Sequence, residues 1–253
     1  LEPRPWGRFI DVATELKVES GGVDRAARGA KFMAPGELSP IVRDFSCNVD
    51  DAKTAGNLLL SEVATAAFLT FNMLQCSTLS GDLDELEGYV SSAFEATKSE
   101  ALATAATTAL SASHVNLAVN SQPLASATSL VDVIATVEMG LAERISNQRG
   151  VIMIHPRQLG PAVSAGVIFL ANEGLVSPAG HRVISDAGHR PYNVVYGTGV
   201  LGYSLMENHS PADLTSQLDR TRNIVTWMRE TYALVVFNPA WSVRSTLTGG
   251  YAG

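Results

Sequence analysis

The chain has 253 residues, 46% hydrophobic and only 17% charged, with a formal net charge of -7. A solitary soluble globule carries about 25% charged residues, so the low value points to a surface partly buried against copies of the same chain. The composition excludes several classes. No basic stripe exists to neutralise phosphates, no stretch nears the ~18 apolar residues of a membrane helix, and no signal peptide is evident. Cys47 and Cys76 form no CxxC; two free buried thiols are expected, with a single long-range disulfide as the alternative. The acids concentrate in residues 32–110, with Asp82, Asp84, Glu85, Glu87, Glu95 and Glu100 against Arg43, Lys53 and Lys98.

Residues 1–14 read as an extended arm. Pro3 and Pro5 flank Arg4 and push it away from helix. Trp6, Phe9 and Ile10, beside Arg4 and Arg8, are apolar anchors that so short a segment cannot bury alone. They dock on the same chain or on a neighbour, and the expectation is a neighbour, because Trp and Arg commonly dominate interface energies. A start at Leu1 reads as a cleaved or truncated end. ELKVES suggests a short strand, and GGVDRAARGAKFMAPGELSP a turn-rich protruding hairpin.

Asp82 and Glu85 open the strongest early helix, with Leu83, Leu86, Val90, Phe94 and Thr97 as its stripe. The acids of DLDELE complement the helix dipole rather than form a metal or acid/base site. An alanine-rich continuation extends this helix to about 25 residues. A second helix, SLVDVIATVEMGLAERI, carries Leu130, Ile134, Val137, Leu141 and Ile145 on one side and is capped by Ser129 with Asp132. Gly150 ends that region. Val151–Ile154 reads as a buried strand, followed by a third helix, a hairpin and GHRVISD. Val194–Tyr196 and Val200–Leu205 read as strands around a glycine kink, Ser210–Asp213 as the start of a helical turn, and NIVTWM and YALVVF as two strands.

No chemical constellation stands out. Gly197, Gly199 and Gly202 match G-x-G-x-x-G, but YSLMENHSP leaves no room for the helix a dinucleotide site needs. His181 and His189 flank a turn with Asp186 and are weak metal candidates. No HExxH or G-x-S-x-G exists. The expectation is therefore no catalytic residue, no metal, no cofactor and no enzyme.

RPWGRFIDVAT, the glycine-rich stretch around Gly29–Phe32, FLTFNMLQCS with DLDELEGYVSSAFEATKSEAL, LVDVIATVEMGLAERI with GVIMIHP, GLVSPAGHRVISDAGH, VVYGTGV and RNIVTWMRETYALVVFNP together resemble a family. It is the major capsid proteins of tailed bacteriophages with the Hong Kong 97-type fold, especially those of phages of actinobacteria. His181, Arg182 and Asp186–Gly188 depart from the usual residues of that family's hairpin. The resemblance implies an α+β subunit with an N-terminal arm (1–14), an extended loop hairpin (15–47), a peripheral domain (48–128) with a spine helix at about 82–110, an axial domain (129–223), and closing strands (224–253) that return to the peripheral domain. It implies a subunit of an icosahedral virion capsid that assembles in the host cytoplasm as hexamers and pentamers of itself. Packaged double-stranded DNA would be held without sequence-specific binding. Scaffold, portal or decoration proteins would be the further partners, and no membrane is involved. The inter-subunit contact candidates are Arg4, Trp6, Arg8, Phe9, Ile10, Lys31 and Phe32. Two alternatives stand beside this reading: an encapsulin-like compartment shell of the same fold, and a nucleotide-dependent oxidoreductase resting on residues 197–202.

Overall fold

Two sheets meet along one long helix, and the chain crosses between them more than once. A computed structural model describes residues 7–16, 30–35, 60–77, 83–110, 114–145, 148–206, 214–219 and 224–249. The described chain opens with α1 (Phe9–Val12) and β1 (Thr14–Glu15). β2 (Ala30–Pro35) pairs antiparallel with β3 (Leu60–Thr65), so the hairpin's return strand lies well beyond the expected boundary at Cys47. β4 (Phe68–Ser77) leads into α2 (Leu83–Thr107), the 25-residue spine. Its stripe is buried at Val90 and Phe94 and continues through Leu102, Ala103, Ala105 and Ala106, where small side chains let the sheet approach. Thr97, expected on that stripe, is exposed, and its hydroxyl instead accepts from Asn72 Nδ2 at 2.6 Å.

After α3 (Leu117–Asn120) and β5 (Gln122–Pro123) comes α4 (Leu130–Ile145). The Ser129 hydroxyl accepts the Asp132 N–H at 3.1 Å, as the capping pattern predicts. β6 (Val151–Ile154) is buried at every position. α5 (Pro156–Ser164) is capped by the His155 ring, with Gln158 completing the box. β7 (Phe169–Ala171), β8 (Gly174–Val176) and β9 (Arg182–Ser185) follow, then β10 (Val194–Thr198), β11 (Leu201–Met206), β12 (Leu214–Asp219), β13 (Ile224–Phe237) and β14 (Val243–Thr246).

The seven-stranded sheet has the order β5-β14-β10-β6-β9-β8-β7. Its inner strand β6 is buried on both faces, which explains the unbroken apolar run there. Ile152, Ile154, Val183 and Val195 join the cluster made by Ile134, Val137, Leu141 and Ile145 of α4. Their neighbours Met153, Ile184 and Tyr196 join the other cluster, with Leu102 and Ala103 of the spine. The period-two alternation of a strand thus feeds two cores from one sheet. In the second sheet β13 is central, with β11 and β12 pairing along it, β4 pairing with it as well, and β1 beyond β11.

Several expectations are corrected. NIVTWM and YALVVF form one strand, β13, because the charge at Arg229 is accommodated by the spine: its guanidinium lies 5.0 Å over the Phe94 ring and 3.5 Å from Glu95. The arm contains the helix α1. The helical turn expected at Ser210–Asp213 lies outside the described residues, and the chain just after it is a strand, β12. The closing segment divides: β13 joins the sheet against the spine, whereas β14 returns to β10 and β5. β11 and β12, placed with the axial residues, pair instead with β13.

Candidate assembly surfaces

Residues 7–16 are strapped to the body of their own chain. The Gly7 carbonyl accepts the Ser185 N–H at 2.8 Å. Gly7 has φ +88°, and a Cβ there would lie 2.9 Å from Leu175 Cδ1, so the chain needs glycine to enter α1. The Asp186 carboxylate takes three donors: Phe9 N–H at 3.1 Å and the Ser99 hydroxyl at 2.7 Å on one oxygen, and Gly188 N–H at 3.1 Å on the other. At the far end of α1, Arg182 donates to the Asp11 and Val12 carbonyls, both at 3.0 Å. β9 and Asp186 just after it thus hold both ends of the helix with charge-assisted bonds. β1 then pairs in parallel with Gly202–Tyr203, and Leu16 N–H reaches the Tyr203 carbonyl at 2.7 Å. This brace ties the seven-stranded sheet, the spine and β11 together.

The predicted contact residues separate accordingly. Phe9 is wholly buried in its own chain, edge-on to Tyr203 at 6.2 Å, so its assignment to a neighbouring subunit is corrected. A segment too short for its own core has found one between the spine and β11. Ile10 is half-buried against the same core, with its N–H 3.5 Å from Ser99 Oγ. Arg8 pairs with Asp11 at 3.0 Å on the surface. Lys31 and Phe32 stand apart on β2, opposite Ala64 and Val63. Arg4 and Trp6 lie outside the described residues. In the sequence Arg182 and Asp186–Gly188 stand out as departures from a family pattern, and Asp186 also as part of the turn between His181 and His189. A lone Arg and Asp spaced i, i+4 around a strand gave no further signal.

The glycine run at 197–202 is a crossing between sheets. Thr198 ends β10, Leu201 begins β11, and a strand stands where a dinucleotide site requires a helix. Each glycine makes room for a side chain. A Cβ on Gly197 would lie 2.6 Å from Val137 Cγ1, on Gly199 2.6 Å from Trp241 Cε3, and on Gly202 2.8 Å from Leu16 Cδ1. That geometry removes the basis of the oxidoreductase alternative.

Three histidines each make a hydrogen bond to the backbone, and the His155 and His189 rings lie edge-on at 6.4 Å. His181 Nδ1 accepts the Gly150 N–H at 2.9 Å, and His155 Nδ1 accepts the Arg157 N–H at 3.1 Å. His189 is wholly buried and donates from Nε2 to the Val194 carbonyl at 2.9 Å. Burial pushes it down to about 4, and the bond to Val194 offsets part of that. Burial likewise pushes the Tyr196 hydroxyl up to about 12. Among the described residues no three His, Cys, Asp or Glu side chains converge as a metal site would require.

Surface features are apolar rather than catalytic. Leu69, Phe71 and Met73 alternate along β4, and all three are exposed. An open groove of about 400 Å³ runs between β4 and the spine, with Arg190 and Glu100 paired at 3.1 Å in its wall. Val131 and Met139 are exposed on α4, and Phe169 and Leu170 on β7.

No protein-family model and no curated protein matches the chain. Solved structures do match it along nearly its whole length. A chain of Gordonia phage Cozz superposes with a TM-score of 0.56 at 14% identity, covering 98% of this chain and 89% of that one. The capsid of an empty GTA particle gives 0.58 at 10% identity, over 98% of each chain. Mycobacterium phage Cain gives 0.58 at 10% identity, over 98% and 92%. The chain has a phage-capsid fold. At such identities the likeness lies in the α+β architecture, which the residues already resembled.

Proposed function

We propose that this chain is the major capsid protein of a tailed phage, a structural subunit that assembles with copies of itself into an icosahedral shell around double-stranded DNA. The observation that carries the reading is the superposition on the capsid chain of an empty GTA particle over 98% of both lengths. Low charge and a surface with exposed apolar rows on two sheets support it further. In this reading the β2–β3 hairpin is the extended loop, the spine with β4 and β13 the peripheral part, and the seven-stranded sheet with α4 and α5 the axial part. Arg4, Trp6, Lys31 and Phe32 are the proposed contacts to neighbouring subunits.

Negative-stain micrographs and native mass measurement of the purified chain test the reading. Closed shells of uniform size are expected. A stable monomer across salt and protein concentration overturns it. Nucleic acid recovered from shells assembled in cells supports a genome container, whereas shells that consistently enclose an enzyme point to the encapsulin-like alternative.

A further inference from the structure

α4 carries a second apolar stripe on its outer face. Val131, Ala135, Met139 and Ala142 follow at i, i+4, i+8 and i+11, and all are exposed, Met139 at 61%. The inner stripe of the same helix already fills the core, so the fold does not need the outer one. Acids rim it: Asp132, Glu138 and Glu143. The helix's own arginine, Arg144, is buried, donates to the Gly140 carbonyl at 2.7 Å and to Gln122, and comes only within 3.7 Å of Glu143. The face is therefore apolar with a negative border.

The segment from α5 to β7 has the opposite character. Arg157 is exposed and makes no ion pair with a carboxylate among the described residues. Phe169 and Leu170 lie on the outermost strand of the seven-stranded sheet, 43% and 62% exposed. α4 packs over β10 and β14, toward the other edge, and its inner side also touches α5 of the same chain.

We propose that the outer face of α4 seats the α5–β7 surface of a second copy of this chain. The inference rests on the shell reading and names one contact within it. Two different surfaces of one chain that fit each other make head-to-tail contacts, which close into rings when the rotation permits. Copies with a net charge of -7 repel one another. Laying Arg157 on an acidic rim lowers that repulsion where they touch, and the apolar stripe supplies the area that leaves water.

Native mass measured across protein concentration tests the contact. Met139→Asp and, at a second position, Ala135→Asp should raise the concentration needed for assembly about tenfold or more. The circular dichroism of the subunit should not change, and its melting should fall only by the small helix-propensity difference, because both positions face outward. Glu143→Arg and Arg157→Glu should each weaken assembly, and the double variant should assemble better than either. Aspartate variants that assemble at the wild-type concentration, or a double variant no better than the singles, overturn the contact while leaving the shell reading intact. A wild-type chain that stays monomeric overturns the shell reading itself.

Discussion

Gly188 lies so close to the spine helix that a Cβ built on it would sit 2.0 Å from the Glu100 carbonyl oxygen. The Thr104 nitrogen would be 2.7 Å away and the Ala103 Cβ 2.9 Å. The loop after β9 thus rests directly on helix backbone, which cannot yield as a flexible side chain can. Gly188→Ala should destabilise the subunit by about 3 kcal/mol, read from urea unfolding. Gly88, on the same helix with nothing within 4 Å, is the contrast. Gly88→Ala should raise stability by up to about 1 kcal/mol through helix propensity alone. Equal effects at the two positions would refute the packing account.

Asp186 is the junction of the brace. Asp186→Ala leaves the Phe9 N–H, the Ser99 hydroxyl and the Gly188 N–H without their acceptor in a site that is nearly closed to water. The expected cost is about 3 kcal/mol. Ser99→Ala, which removes one donor and leaves the carboxylate two others, should cost about 1 kcal/mol. Amide exchange at Phe9 should quicken in the first variant more than in the second.

Phe9 and Arg8 are neighbours with opposite roles. Phe9→Ala empties a fully buried site and should cost the isolated subunit about 3–5 kcal/mol. Arg8→Ala breaks an exposed pair with Asp11 and should cost under about 1 kcal/mol. A Phe9→Ala subunit that melts as the wild type does, with only its assembly impaired, would return Phe9 to the neighbour's surface.

Acid should loosen the fold through His189. In the unfolded chain its imidazole titrates near 6.5, and in the fold burial holds it at about 4. Between these values the unfolded state binds a proton that the folded state refuses, so stability falls as pH is lowered from 6.5 toward 4. The full span corresponds to about 3 kcal/mol. Burial pulls His114 and His181 down as well, adding to the same trend. Melting followed between pH 7 and pH 4.5 should show a shallower decline for His189→Gln than for the wild-type chain. Parallel declines would remove His189 from the cause.

Local patterns determined the helices and the buried strand. The inner stripe of α4 with its Ser129 cap, the 25-residue spine, and Val151–Ile154 all follow from spacings and caps that act within a few residues. The carrying family resemblance was legible in the same way, spread along the chain in the order of its elements. Which sheet a strand joins was decided by tertiary structure. Six residues from Gly197 to Gly202 end one sheet and begin another, and their glycines answer to Val137, Trp241 and Leu16 from three distant elements. NIVTWM and YALVVF read as two strands, and they join into one where Phe94 and Glu95 of the spine accommodate the charge of Arg229. Phe9 looked like an anchor for a neighbour because its own pocket is built elsewhere: its amide meets Asp186 at a separation of 177 residues. Side-chain periodicity reports which face of an element is apolar, but the partner that covers that face is chosen by long-range packing, which no local spacing encodes.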